Sequence, residues 1–149
     1  MSLNETFTTL GAEETERLGA SLAKECAGKG PCFVALYGDL GAGKTAFVRG
    51  FASVLAPEAK VKSPTYTVVN SYRGKPWPVY HFDFYRITDE DELYSIGFYD
   101  YLSAGLCIGE WSENIPYAIP EGSRTVTIEK DASDPAIRRI RFGIYGGEA

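Results

Sequence analysis

Gly38-Asp39-Leu40-Gly41-Ala42-Gly43-Lys44-Thr45 is a complete G-x-x-x-x-G-K-[ST] run, and its positions suit a chain of phosphates. Glycines let the backbone curl so that successive N–H groups face the anion, and the helix that follows adds the positive end of its dipole. In such a loop the Lys44 ammonium reaches the β- and γ-phosphates, and the Thr45 hydroxyl is the usual ligand for Mg²⁺. The flanks agree with that reading. Residues 32–37 before the loop are apolar in the manner of a buried strand, and residues 46–55 after it read as a helix ended by Pro57.

A phosphate loop alone binds; hydrolysis or transfer needs carboxylates facing it. Two apolar runs end in an acid: Val79-Tyr80-His81-Phe82-Asp83 and Leu106-Cys107-Ile108-Gly109-Glu110. An acid at the carboxyl end of a central strand projects into the crevice where open α/β sheets bind ligands. There it can hold Mg²⁺, directly or through water, or orient an attacking water. Either acid alone could equally be a sheet-edge charge or half of a salt bridge; two of them beside a phosphate loop favour function. Ser63-Pro64-Thr65 falls where switch-type loops stand, with hydroxyls able to sense a γ-phosphate, although the same residues make ordinary turns. Alternation along residues 80–86 puts His81, Asp83 and Tyr85 on one face and Phe82 and Phe84 on the other. Trp111 either stacks on a base or packs against the sheet, the commoner fate.

The elements that must hold these groups can be read in outline. A short strand is expected at 7–10. A helix is expected at 13–27, with Leu18, Leu22 and Cys26 on one face and Gly28 as its stop. Residues 66–72 and 79–85 form a hairpin around Arg73-Gly74-Lys75-Pro76. Thr88 caps a short helix whose first turn holds Asp89, Glu90 and Asp91, and the helix dipole explains those acids without a metal. A helical turn follows at 99–103, a buried strand at 106–111, a loop at 115–120 and two late strands at 124–129 and 137–145. The pattern is α/β: a P-loop NTPase-like three-layer fold in a single domain (1–149), its central sheet mostly parallel and extended by antiparallel strands.

Composition sets the bounds. The 149 residues are 44% hydrophobic and 23% charged, as in an ordinary soluble globular domain. No apolar run approaches the roughly 18 residues of a membrane span, and no leader opens the chain, so a cytoplasmic location is expected. Cys26, Cys32 and Cys107 read as buried thiols of a reducing compartment rather than a disulfide framework or zinc site. His81 is the only histidine, which argues against a histidine-rich metal site or a Ser–His arrangement. A net charge of −5 makes the chain a poor nucleic-acid binder by itself. Any RNA it serves is expected to be held by a partner.

Three motifs carry a family resemblance: the phosphate loop, Ser63-Pro64-Thr65-Tyr66-Thr67, and His81-Phe82-Asp83-Phe84-Tyr85-Arg86, followed by Glu110-Trp111. In this order they resemble the TsaE (YjeE) family of bacterial tRNA threonylcarbamoyladenosine biosynthesis proteins, over about residues 5–130. The resemblance implies a weak Mg²⁺-dependent ATPase that serves two partners, TsaB and TsaD. Their complex attaches threonylcarbamoyl to adenosine 37 of tRNA, which the ATPase meets only through the complex. It implies further that Asp39, Leu40, Gly41, Ala42, Gly43, Lys44, Thr45 and Ala46 hold ATP, with Trp111 near the nucleotide or the partner surface. Thr45 and Glu110 would hold the metal, Asp83 would act near the γ-phosphate, and Ser63, Pro64 and Thr65 would form the switch-like loop. The catalytic set is then Lys44, Asp83 and Glu110. Two positions depart from the family: Ala46 where threonine is common, and Gly109 where a bulky aliphatic is usual. The first removes a hydrogen bond worth of order 1 kcal/mol. The second weakens a strand but permits close approach.

Other classes fare unequally. A GTPase is excluded, since no N/T-K-x-D occurs and no aspartate is followed three residues later by glycine. A small-molecule kinase should carry an arginine-bearing lid, whereas Arg138, Arg139 and Arg141 look like the alternation of a surface strand. A nucleotide-switched binding module with incidental hydrolysis remains open.

Overall fold

The computed structural model describes residues 4–38 and 43–146, so Asp39, Leu40, Gly41 and Ala42 lie outside the described residues. The chain runs β1 (Thr6–Thr9), α1 (Ala12–Lys29), β2 (Cys32–Tyr37), α2 (Lys44–Leu55), β3 (Val69–Tyr72), β4 (Val79–Asp83), α3 (Glu90–Ser95), α4 (Phe98–Tyr101), β5 (Leu106–Glu110), β6 (Arg124–Lys130) and β7 (Arg138–Ile144). One seven-stranded sheet has the order β1-β7-β6-β2-β5-β4-β3. Its centre is parallel, β6, β2, β5 and β4 all running the same way, and the pairs β1–β7, β6–β7 and β3–β4 are antiparallel. β2 and β5 are continuous apolar runs because both of their faces are covered.

The two faces are covered differently. On one, α1 and α2 pack on Val34, Leu36, Ile108, Val126 and Ile128. The helices approach closely enough that a Cβ on Gly50 would lie 1.9 Å from the Glu16 carbonyl oxygen, and one on Gly19 2.2 Å from that of Phe47. On the other, Phe33, Phe82, Phe84 and Phe98 form an aromatic cluster closed by α3, α4 and the segment around Ile115. Phe82 and Phe84 stack at 5.5 Å, and Phe98 meets both edge-on.

Local expectations are corrected at three points. α1 runs through Gly28 and stops at Gly30, whose φ of 100° with ψ of −161° is a backbone conformation open to glycine and strained for other residues. α3 is capped by Asp89, not Thr88: the Asp89 side chain accepts from Glu92 N, while Thr88 bonds the Glu92 carboxylate. Pairing in the hairpin begins only at Val69, because Val68 has φ 69° and its N–H turns back to Pro64 O. Among the described residues no helix is long and apolar enough to cross a membrane.

Candidate functional site

β2 ends at Tyr37, and α2 begins at Lys44 behind a left-handed Gly43. The sheet therefore delivers the phosphate-loop sequence to the carboxyl edge of its parallel centre. β4 and β5 end at that same edge, paired so that Asp83 stands opposite Glu110, and Leu36 of β2 opposite Glu110 on the other side. Directly paired residues of a parallel ladder share a face, so the two carboxylates project side by side toward the start of α2. They meet Gly43, Lys44, Thr45, Ser63, Thr65, Tyr85 and Trp111 around a cleft of about 440 Å³. Larger hollows exist elsewhere, but none gathers the predicted groups.

Asp83 is 4% exposed and held at both oxygens. Oδ2 accepts from Thr65 Oγ1 at 3.1 Å and Ser63 Oγ at 3.4 Å, and Oδ1 accepts from Tyr85 N at 2.9 Å. The two hydroxyls also bond each other at 2.8 Å, and Pro64 between them is buried. The Ser-Pro-Thr loop is thereby tied to the acid rather than merely turning nearby.

Glu110 is 5% exposed, and its Oε2 lies 2.5 Å from His81 Nε2. His81 is wholly buried with its ring tilted on Tyr72, and Nδ1 makes no hydrogen bond. The carboxylate partner assigns the proton to Nε2, so His81 donates and fixes the Glu110 side chain. The sequence alone does not assign this role; there His81, as the only histidine, counts only against a histidine-rich metal site or a Ser–His arrangement. Its period-two spacing from Asp83 was the available signal.

Lys44 is buried, donates to Gly38 O at 2.7 Å and places Nζ 3.9 Å from the centroid of the Trp111 ring. Trp111 sits at φ 59°, leaves the strand and packs on Tyr85 at 5.1 Å. It is a wall of the cleft as well as a packing residue. Gly109 has a plain cause: a Cβ there would lie 2.4 Å from Phe84 Cε2 and 3.0 Å from Phe33 Cζ. The aromatic cluster occupies the space that a side chain on this strand would need.

Ala46 faces a smaller hollow of about 170 Å³ that shares Gly43 with the cleft and is walled by Gly11, Ala12, Ala136 and Arg138. Arg138 Nε lies 3.7 Å from where a side chain on Gly43 would begin. Only part of the arginine group is therefore surface alternation. Arg139 and Arg141 pair with Asp131 and Glu129, whereas Arg138 stands beside the phosphate loop. Arg86 lies over the exposed Tyr66 ring, and no arginine lines the cleft among the described residues.

The cleft's donors are hydroxyl and carboxylate oxygens, the set that suits a hard cation such as Mg²⁺ and not zinc. Among the described residues no cluster of three or more His, Cys, Asp and Glu could hold an ion alone. Mg²⁺ commonly takes one or two carboxylates and completes its shell with phosphate and water, so Thr45 and Glu110 fit that arrangement.

Comparison with known proteins agrees with the motifs. The model of the threonylcarbamoyl adenosine biosynthesis protein TsaE matches residues 9–140. This chain belongs to the TsaE family. A TsaE of Bacillus subtilis is 37% identical over 141 residues, covering 94% of this chain and 85% of that protein. The TsaE of Haemophilus influenzae is 43% identical over 97 residues, 64% of this chain, and the match spans only 61% of the Haemophilus protein. The crystal structure of Bacillus subtilis YdiB superimposes with a TM-score of 0.73 at 29% identity, covering 95% of this chain and 86% of that one. The fold is thus P-loop NTPase-like, as the sequence predicts, and the departures at Ala46 and Gly109 lie inside a TsaE framework.

Proposed function

We propose that this TsaE protein is the accessory ATPase of the machinery that makes threonylcarbamoyladenosine at position 37 of tRNA. It binds ATP with Mg²⁺, hydrolyses it slowly and supports turnover of a TsaB–TsaD complex. One observation carries the reading: the start of α2 and two buried carboxylates from different strands converge on one cleft, with Lys44 and Thr45 on one wall and Asp83 and Glu110 on the other.

Bound Mg²⁺ would neutralise phosphate charge as it develops. Lys44 then leaves its carbonyl and ring contacts for the β- and γ-phosphates. Glu110, oriented by His81, offers its carboxylate on the metal side together with the Thr45 hydroxyl. Asp83 orients the attacking water, and Ser63 and Thr65, bonded to Asp83, report whether a γ-phosphate is present. The hollow at Ala46 offers small apolar walls for part of a nucleoside, with the planar Arg138 guanidinium able to stack on a base.

Unaided turnover should be slow, because no arginine lines the cleft among the described residues and such a cation is worth several orders of magnitude in rate. The net charge of −5 leaves tRNA binding to the partners. Hydrolysis is measured with the protein alone, then with TsaB and TsaD of the same source, with and without tRNA. The expected result is strong stimulation by the partners that disappears in Lys44→Ala. Hydrolysis that depends instead on an added metabolite, with that metabolite phosphorylated, would make the protein a small-molecule kinase.

A further inference from the structure

No side chain of β3 lines the cleft, yet this edge strand holds the loop that does. The Asn70 amide grips both ends of the Ser-Pro-Thr segment. Its Nδ2 donates to Lys62 O at 3.0 Å, and its Oδ1 accepts from Thr67 Oγ1 at 3.1 Å. A carbonyl can only accept, so the contact with Lys62 fixes which way the amide points. Tyr72, two residues along β3, accepts the Lys62 N–H on its hydroxyl at 3.3 Å. Lys62 and Thr67 are thereby tied to one short strand, with Ser63, Pro64, Thr65 and Tyr66 between them in the chain.

Backbone bonds close the same loop onto Asp83. The Val68 N–H returns to Pro64 O at 2.7 Å, and Val68 O accepts from Asp83 N at 2.9 Å. Both bonds run through a β-branched residue at φ 69°, a conformation that persists only where its surroundings over-determine it. Asn70 supplies part of that determination by fastening Thr67, the residue before Val68, to Lys62 at the start of the loop. Asn70 also stands directly opposite His81 in the β3–β4 ladder, and the Tyr72 ring lies 6.5 Å from the His81 ring. β3 therefore braces both acids: the loop whose hydroxyls bond Asp83, and the histidine that bonds Glu110.

We propose that Asn70 is a positioning residue for hydrolysis: its amide holds the Ser63-Pro64-Thr65 loop closed on Asp83 and so sets turnover. The proposal rests on the ATPase reading of the cleft. Asn70 lies outside that cleft, so its loss leaves the groups of the phosphate loop in place. Two part-exposed hydrogen bonds contribute little to global stability, whereas a displacement of about 1 Å at a catalytic group can cost about 10²-fold in rate. The effect therefore falls on chemistry. Aspartate is the sharpest replacement. It keeps the shape of the side chain and the acceptor for Thr67, but it sets a carboxylate oxygen against the Lys62 carbonyl with no proton between them. Alanine only releases the loop; aspartate pushes it open.

The test compares the wild type with Asn70→Ala, Asn70→Asp and Thr67→Ser. ATP affinity is read by calorimetry, turnover by TsaB–TsaD-stimulated hydrolysis, and loop closure by amide exchange of Val68 in NMR without nucleotide. Both Asn70 variants should bind ATP within about threefold of the wild type and unfold near its urea midpoint, while kcat falls roughly tenfold or more. The loss in Asn70→Asp should be at least that in Asn70→Ala, and Val68 should exchange faster in both. Thr67→Ser keeps the hydroxyl and should match the wild type throughout. If Asn70→Asp does not fold, Asn70→Ala decides by the same readouts. Wild-type turnover in either folded Asn70 variant, unchanged Val68 exchange, or affinity and turnover lost together overturns the proposal. A wild type that hydrolyses no ATP with its partners contradicts the ATPase reading itself and the rate effect with it, a result distinct from an active wild type with an equally active Asn70→Asp.

Discussion

The two walls of the cleft are built by different means. Gly43, Lys44 and Thr45 are consecutive, and the strand–loop–helix path that places them is local. Ser63, Asp83 and the adjacent Glu110 and Trp111 come from three separate segments of the sequence, and the two acids meet because β4 and β5 pair with Asp83 opposite Glu110. A contiguous wall depends on backbone shape; an assembled wall depends on strand register and on what packs beneath it. Damage to the first should therefore cost nucleotide affinity, and damage to the second should cost chemistry while nucleotide still binds.

The largest effect is expected on the assembled wall. Glu110→Gln should lower partner-stimulated turnover about 10²- to 10⁴-fold and raise the Mg²⁺ requirement, with nucleotide affinity nearly kept. Steady-state hydrolysis across a Mg²⁺ titration measures both. Lys44→Ala should weaken ATP binding by roughly 10- to 100-fold in calorimetry, since charge-assisted hydrogen bonds contribute about 1.5–3 kcal/mol. An equal loss of affinity in the two variants would erase the distinction between the walls.

Smaller changes sharpen it. Gly109→Ala places a methyl 2.4 Å from the Phe84 ring, so urea denaturation should show a loss of about 1–3 kcal/mol. Displacement of Glu110 should slow turnover with little change in ATP affinity. Ala46→Thr, on the contiguous wall, should do the reverse and tighten ATP by about fivefold, the equivalent of roughly 1 kcal/mol for one hydrogen bond. Calorimetry on the folded variant checks it.

The same contrast decides what was legible in the sequence. The phosphate loop could be read because its chemistry is contiguous, and Asp83 and Glu110 because apolar runs ending in acids mark strand ends. His81 lay one period from Asp83, yet its partner is on the next strand, and register is not written in either run alone. Gly109 is explained by Phe84 and Phe33, rings contributed by two other segments. Arg138 shares its alternation with Arg139 and Arg141, and only the approach of the β7 start to Gly43 sets it apart. The misplaced cap of α3 has a smaller cause: Thr88 and Asp89 can both cap, and the extended backbone at Asp89 together with its bond to Glu92 N decides between them.

The division of labour between the walls is tested most directly in Asp83→Asn, by measuring ATP affinity and partner-stimulated hydrolysis on the same preparation. The account predicts affinity within about threefold of the parent and turnover lower by about 100-fold or more. Unchanged turnover, or affinity and turnover lost together, would contradict it.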